Sequence, residues 1–411
     1  MSVRAYKARA LDAPAAVRPV EVIGEPHDVD VARTGAPYRS ALLVAMAAGR
    51  PLGTALVDTG GTAVVPADVA RHALSAAIAL PQHLPVSDGI VPLPTVSVVV
   101  TTCAASADVL TTVASVLACR PAPVEVIVVE NRPSRSDVSR ALTTRFPGDP
   151  RVRYVEESRQ GLSWARNAGL AVARGDIVAF TDDDVRVAEG WIRWIQHAFA
   201  SESSAACVTG LIMPAELETR AQVLLEQYAG FGKGFARRVF RASEPTSRLF
   251  PYAAGEFGSG ANTAVRADVA RTLGGFDAAL GAGTPACGAE DLDLYVRLLL
   301  AGHAIVYEPG ALLWHRHPDT AARLRREAFR YGLSLSAMLA KLALTGHGRA
   351  IAARVWAGLR FLRDPTSRKN ERKGTSYPWT LDLWEYSGML LGPLAYLVSR
   401  RRTARVRVAT R

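Results

Sequence analysis

The chain has 411 residues, 49% of them apolar and 21% charged, with a formal net charge of +11, so there is room for two or three domains and a sizeable core. Four scattered cysteines, Cys103, Cys119, Cys207 and Cys287, show no CxxC pair, which argues against a disulfide framework or a zinc site and fits a reducing cytoplasm. The positive charge points to an anionic partner: nucleic acid, a phosphorylated ligand or an acidic membrane face.

In chain order, the opening "MSVRAYKARALDAP" lacks the apolar core of a signal peptide. Residues 1–90 read as a small α+β accessory module. Within it, "SALLVAMAAGRPLGTALVD" suggests two strands joined by a Gly/Pro turn, and "ADVARHALSAAIAL" an amphipathic helix. No chemistry is visible there. The proline-bearing "LPQHLPVSDGIVPLP" reads as a linker into a second domain over residues 91–320.

Here the pattern changes to "VSVVV", "VEVIVV", "VRYV" and "DIVAF", short β-rich runs separated by helical segments such as "SADVLTTVASVLAC". Alternating strands and helices predict a parallel sheet with right-handed crossovers. Ligands then bind beyond the carboxyl ends of the strands. Each strand ends in polar residues: Thr101 and Thr102, Glu130 and Asn131, Glu156 and Glu157, then Asp182, Asp183 and Asp184. Neither GxGxxG nor GxxxxGK[ST] is present, so any bound phosphates need another counter-charge, for which a divalent cation on carboxylates is the obvious candidate.

Taken alone, the three aspartates fit a water-solvated turn as well as a cation site. Farther on, "FGSGAN" combines Gly258 and Gly260, which permit close backbone approach, with the amide of Asn262. In "GAEDLDLYVRLLLAG", Glu290 and Asp291 open a helix, where acids interact well with its dipole. Asp293 and Arg297 are spaced as an i,i+4 ion pair. "ALLWHRHPDT" ends a strand with His315 and His317 on one side of an extended backbone, and imidazole suits manganese-class metals.

Residues 321–411 predict a helical, basic C-terminal region. "RLRREAFRYGLSLSAMLAKLAL" is amphipathic, and "YPWTLDLWEYSGMLLGPLAYLVSRRR" sets Trp379, Trp384 and Tyr386 beside apolar residues and then arginines, with "RKNERKGT" a further basic cluster. The run Tyr386 to Ser399 is too short to span a bilayer and is interrupted by Pro393. These helices either pack on the second domain or touch a membrane surface, and the aromatic and basic flanks favour the membrane.

Taken together and in order, "VSVVVTT", "VEVIVVEN", "GLSWARNAGLAVARGDIVAFTDDDV", "FGSGANTAVRADVARTLGGFD", "GAEDLDLYVRLLLAG" and "WHRH" resemble the inverting glycosyltransferases of family 2, over roughly residues 94–320. The resemblance implies an α/β fold of the GT-A type, with a Rossmann-like, mixed and mostly parallel sheet flanked by helices. It also implies a divalent metal, Mn²⁺ or Mg²⁺, bound by Asp184 with Asp182 and His315, His317 being second choice. Thr101, Thr102, Glu130, Arg166, Asn167, Asp182 and Asp183 would face the donor nucleotide, and Gly260 and Asn262 the acceptor or sugar. Asp291, beside Glu290, would be the general base. Family members commonly carry Asp where this chain has Glu130, which leaves the base of the nucleotide open.

The expected partners are a nucleotide-sugar donor and an acceptor hydroxyl on a lipid-linked glycan, a polysaccharide or a small molecule. Nucleic acid is not expected, because the strands read as buried and apolar and not as a basic, aromatic face. The expected location is cytoplasmic, at the inner face of the cell membrane. The rival readings are a non-catalytic nucleotide-sugar-binding scaffold in a polysaccharide assembly complex and glycosylation of a small natural product.

Overall fold

A computed structural model of the chain describes residues 3–5, 10–23, 25–34, 36–78, 93–132, 137–367, 369–374 and 376–409. Most of the expected linker falls outside these residues. The N-terminal part contains β1 (Val3–Ala5), β2 (Ala15–Glu21), β3 (Val29–Asp30), β4 (Ser40–Ala47), β5 (Arg50–Asp58), β6 (Val64–Val65) and α1 (Ala67–Ala77). The two strands expected around the Gly/Pro turn are β4 and β5, and the expected helix is α1. The sheet order is β1-β5-β4-β2, with β2 parallel to β4.

β4 is apolar on both faces because both are covered. Ala41, Leu43 and Ala45 pack with Ala70, Ala73 and Leu74 of α1. Leu42 and Val44, which alternate with them, belong to the core of the second domain. Ala15 N–H donates to Leu217 O at 2.9 Å, and Arg33 pairs with Glu218 at 2.8 Å. The module is thus packed onto the rest of the chain.

The second domain runs β7 (Val96–Thr102), α2 (Ala107–Leu117), β8 (Glu125–Asn131), α3 (Val138–Arg145), β9 (Val152–Glu157), α4 (Leu162–Val172), β10 (Ile177–Asp182), β11 (Val185–Val187), α5 (Trp191–Ser201), β12 (Ala205–Pro214), α6 (Arg220–Tyr228), β13 (Arg238–Phe240), β14 (Thr263–Arg266), α7 (Ala267–Thr272), α8 (Glu290–Leu300) and β15 (Ala304–His315). Local signals place several helices. Ser106 caps α2 by accepting from Val109 N–H, and Thr219 with Gln222 forms a capping box on α6.

The sheet order is β11-β15-β12-β14-β10-β7-β8-β9, with β13 beside β15. Strands β10, β7, β8 and β9 are parallel, β14 runs antiparallel between β10 and β12, and β12 is parallel to β15. This is the expected α/β architecture, a mixed sheet flanked by helices. Its register decides the location of chemistry: Asp182 lies beside Thr101, Thr102 beside Glu130, and Asn131 beside Glu157. The polar strand ends therefore form one continuous edge. The antiparallel β11–β15 ladder then pairs Val185 with His315, next to Asp184.

The C-terminal region forms α9 (Ala321–Leu342), α10 (Gly348–Ala352), α11 (Val355–Arg363) and α12 (Thr380–Ala409). Helix α9 is part of the main core through Ala337, Met338 and Leu342. α12 crosses α9 at Gly332, Gly388 and Gly392, where a β-carbon would collide with the opposite helix. Among the described residues, no helix is long and apolar enough to cross a membrane.

Candidate active site

The edge formed by β7, β8 and β10 carries Thr101, Thr102, Glu130 and Asp182. Thr102 Oγ1 donates to Asp183 Oδ2 at 2.5 Å. Glu130 is buried and accepts from the Tyr154 hydroxyl at 2.5 Å. Asn131 acts on the backbone: Nδ2 donates to Glu157 O and Arg159 O at 3.0 and 2.7 Å, and Oδ1 accepts from Gly161 N–H at 2.9 Å. It fixes the loop that leads into α4, and there the Arg159 guanidinium lies 3.9 Å over the Trp164 ring.

From α4, the buried Arg166 reaches back into this edge and ties three segments together. Its Nη2 donates to Asp182 Oδ1 at 3.1 Å and to Gly260 O at 3.2 Å, while Nη1 donates to Glu290 Oε1 at 2.6 Å. Gly260 has to be glycine, since a β-carbon there would lie 2.6 Å from Arg166 Nη1 and 3.0 Å from the Asp291 side chain. Its N–H donates to Asp291 Oδ2 at 2.6 Å, and Asp291 Oδ1 accepts from Leu292 N–H at 2.8 Å. Asp291 is only part-buried, in the first turn of α8. Ala289, immediately before that helix, is left-handed at φ 64°, a conformation costly for alanine. The residue that leads into α8 is thus held in a turn that its sequence does not favour.

Burial pushes the Glu290 carboxyl up, against the pull of Arg166. Asp183 is pushed up to about 6, mainly by burial; the Thr102 hydrogen bond opposes this and the charges of Asp184 and Asp182 add to it. Asp184 is also raised by burial, with His315 opposing. Arg166 offsets Asp182, and the charge that Asp183 and Asp184 would carry when ionised is what a cation would relieve.

The two histidines have different environments. His315 Nε2 faces Asp184 Oδ1 at 3.5 Å, and its Nδ1 lies 3.4 Å from His317 Nδ1. His317 is fully buried, and its Nε2 lies 2.8 Å from Glu226 Oε1 on α6. In the neutral tautomers that leave His315 Nε2 free for a cation, His317 Nε2–H donates to Glu226 and His315 Nδ1–H donates to His317 Nδ1. The lone pair of His315 Nε2 then faces Asp184. His317 and Glu226 thus stand behind His315, the arrangement that orients metal-binding imidazoles.

Two other expected site residues are engaged in packing. Asn262 is buried, with Nδ2 donating to Leu211 O and Ala311 O at 3.0 and 2.8 Å and Oδ1 accepting from Trp191 Nε1–H at 2.9 Å. Asn167 clamps the "GGFD" turn, bonding both the N–H and the carbonyl of Phe276 at 2.8 Å. Conversely, the sequence reading missed Tyr154, Glu226 and Tyr331. Tyr331 on α9 stacks with Tyr228 at 6.1 Å, and burial with the charges of Glu327, Asp291 and Asp182 pushes its hydroxyl up. The sequence signal for Glu226 was an acid inside the apolar run "VLLEQY".

Among the described residues, no three His, Cys, Asp or Glu side chains are grouped closely enough to hold a metal ion by themselves. Asp184 and His315 supply an oxygen and a nitrogen 3.5 Å apart, near the spacing of neighbouring ligands on one small divalent ion. That donor set fits an ion completed by phosphate oxygens and water.

Against known proteins, the chain is 30% identical over 245 residues to the succinoglycan biosynthesis protein ExoM of Rhizobium meliloti, covering 58% of this chain and 72% of that one. It is 29% identical over 158 residues to a pre-mycofactocin glycosyltransferase of Mycobacterium tuberculosis, covering 38% of this chain but only 30% of that one. A glucosyl-dolichyl phosphate glucuronosyltransferase of Haloferax volcanii is 24% identical over 207 residues, covering 50% of this chain and 63% of that one. Among solved structures, a mannosyltransferase from Pyrobaculum calidifontis in complex with GDP-Man and Mn²⁺ shares 18% identity, over 77% of this chain and 76% of that one, at a TM-score of 0.44. The family model described as "Glycosyltransferase like family 2" matches residues 94–333, which takes in the sheet, the acidic turn, α8, His315 and the start of α9, and the chain belongs to that family.

Proposed function

We propose that the protein is a metal-dependent, inverting transferase that moves a sugar from a nucleotide-sugar donor to an acceptor hydroxyl. The observation that carries the reading is one connected network: Asp184 faces His315, Asp182 is bridged through Arg166 to Glu290, and Asp291 is held by Gly260 beside that bridge. Asp184 and His315, with Asp182 adjacent, are the residues that would hold Mn²⁺ or Mg²⁺. When bound, the ion offsets charge on the departing nucleoside diphosphate.

The chain's own residues supply the remaining functions. Thr101, Thr102, Glu130 and Asp183 line the nucleoside side, and Tyr154 holds Glu130. Arg166 keeps Asp182 and Glu290 in place. Asp291, more open than Glu290, takes the proton from the acceptor hydroxyl as that oxygen attacks the anomeric carbon from the face opposite the diphosphate. A single displacement of this kind inverts the anomeric centre. Asn167 and Asn262 support the site by fixing the loops at Phe276 and Gly260.

The acceptor is best sought among envelope glycans and lipid-linked sugars, since relatives are named for succinoglycan biosynthesis and for glucosyl-dolichyl phosphate. The pre-mycofactocin relative favours testing a small-molecule acceptor beside them. Residues 1–90 serve as a docked accessory module. Helix α12, with Leu390 82% exposed and Leu383, Trp384, Leu391 and Leu394 also outward, contacts the inner face of the membrane, its arginines 400–402 toward the headgroups. α9 separates that face from the site by one helix, since Ser334 abuts Gly288 and Gly332 abuts Glu385.

The test is to incubate the purified chain with a panel of nucleotide sugars and acceptors, with and without Mn²⁺, and to measure nucleoside diphosphate release. Release that needs both Mn²⁺ and an acceptor supports the transferase. Tight nucleotide binding without release under any condition would favour the scaffold.

A further inference from the structure

Helix α11, with sequence VWAGLRFLR, has no buried residue. Trp356 is 77% exposed, and Val355, Leu359 and Phe361 also meet solvent. A nine-residue helix is too short to persist in water on its own propensity, and an apolar side left wet gives up the burial that would stabilise it. Arg360 and Arg363 follow Trp356 by four and seven residues, so the tryptophan and both arginines lie on one face of the helix. Trp356 stands between two open grooves of about 400 Å³ each. One is lined by Leu359, Arg360, Arg363, Asp364 and Pro365, the other by Arg248, Ala353, Arg354, Ala357 and Arg360.

The arginines divide by role. Arg354 anchors the helix, donating to Phe250 O at 3.2 Å and Ala350 O at 2.8 Å and lying 5.3 Å over the Tyr252 ring. Arg248, Arg360 and Arg363 are exposed and have no ion-pair partner among the described residues. The one acid lining the grooves, Asp364, accepts from Thr366 N–H and Oγ1 at 2.8 and 2.6 Å and also feels the Arg360 charge, without an ion pair within 4 Å among the described residues.

We propose that α11 seats in the headgroup layer of an anionic phospholipid bilayer, with Trp356 at the acyl boundary and Arg248, Arg360 and Arg363 on lipid phosphates. A short helix bearing an exposed tryptophan, aliphatic neighbours and unpaired arginines is complementary to that interface on both counts, apolar depth and negative charge. It supplies a second anchor in addition to the outward face of α12, and stable attachment generally takes two. Its purpose, presenting a lipid-borne acceptor to Asp291, rests on the transferase reading; its binding does not.

The test sediments the full chain with vesicles of phosphatidylcholine alone or mixed with phosphatidylglycerol, without nucleotide. The chain binds the mixed vesicles and is released by salt. The triple variant Trp356→Ala, Arg360→Glu, Arg363→Glu binds at least about tenfold more weakly. Its thermal midpoint stays unchanged, because those side chains are exposed. Equal binding of variant and parent, or no binding to mixed vesicles, overturns the proposal. So does a vesicle-free dimer that the variant converts to monomer, which would assign the face to a second copy of the chain. Because no nucleotide is present, failure here leaves Mn²⁺-dependent diphosphate release as a separate test of the transferase.

Discussion

Asp291 and Glu290 are sequence neighbours with opposite environments. Glu290 is buried against Arg166, and Asp291 is part-buried with a backbone donor on each oxygen. Asp291→Asn should therefore lower transfer by about 10²–10⁴-fold while diphosphate binding, measured by titration calorimetry, changes little. The sequence named this pair through its motif, but nothing in it distinguished the buried acid from the open one. Glu226 was legible only as an acid out of place. Its contact with His317 spans 91 residues, and its role emerges only once α6 lies behind the end of β15. Glu226→Gln keeps the packing and weakens the acceptor for His317, so Mn²⁺ affinity in the presence of a nucleoside diphosphate should fall about 10–100-fold. Unchanged affinity would reduce Glu226 to a packing residue. Asp183 adds a pH signature. Its carboxyl is raised to about 6 in the folded chain, above the unfolded value near ~4, so the folded state holds the extra proton. Its contribution favours folding below the unfolded value and is lost as pH rises toward about 6. At pH 7.5, Asp183→Asn should therefore stabilise the metal-free protein by about 1–3 kcal/mol in urea denaturation, and the gain should vanish near pH 4.

At the scale of elements, four strand ends, one turn and two helix starts meet through hydrogen-bond register. Residues 95–182 alternate strand and helix, and the patterning identified β7, β8, β9 and β10 with nearly correct bounds. The antiparallel insertion of β14 between β10 and β12 was not legible, because a four-residue strand after a glycine-rich loop has too little periodicity to register. Nor was the pairing of β11 with β15, which depends on residues 130 positions apart. Arg166 was read as lying near the nucleotide and metal; in the structure it is the link between α4, β10 and α8. Removing it strands Glu290 without a partner, so Arg166→Ala should cost about 3–5 kcal/mol in denaturant unfolding. Adding Glu290→Gln to that variant should recover part of the loss, because a neutral amide is cheaper to bury than a carboxylate. No recovery would mean that the Arg166–Glu290 contact is incidental.

Across the whole molecule, segments from the N-terminal and C-terminal parts of the chain share the central core. The inner face of β4 belongs to the second domain's core, and so does one side of α9. Amphipathic patterning showed that these segments hide a face without showing what covers it. The acidic turn, the histidine pair and the Glu-Asp helix, spread over 136 positions of sequence from Asp182 to His317, meet at one sheet edge. The account depends on that edge holding a divalent ion against a diphosphate. The most direct measurement is a Mn²⁺ titration, followed by electron paramagnetic resonance in the presence of a nucleoside diphosphate, on the parent chain and on Asp184→Asn, His315→Ala and Asp291→Asn. The account predicts an ion site that is lost in the first two variants and kept in the third. Ion binding indifferent to Asp184 and His315 would contradict it.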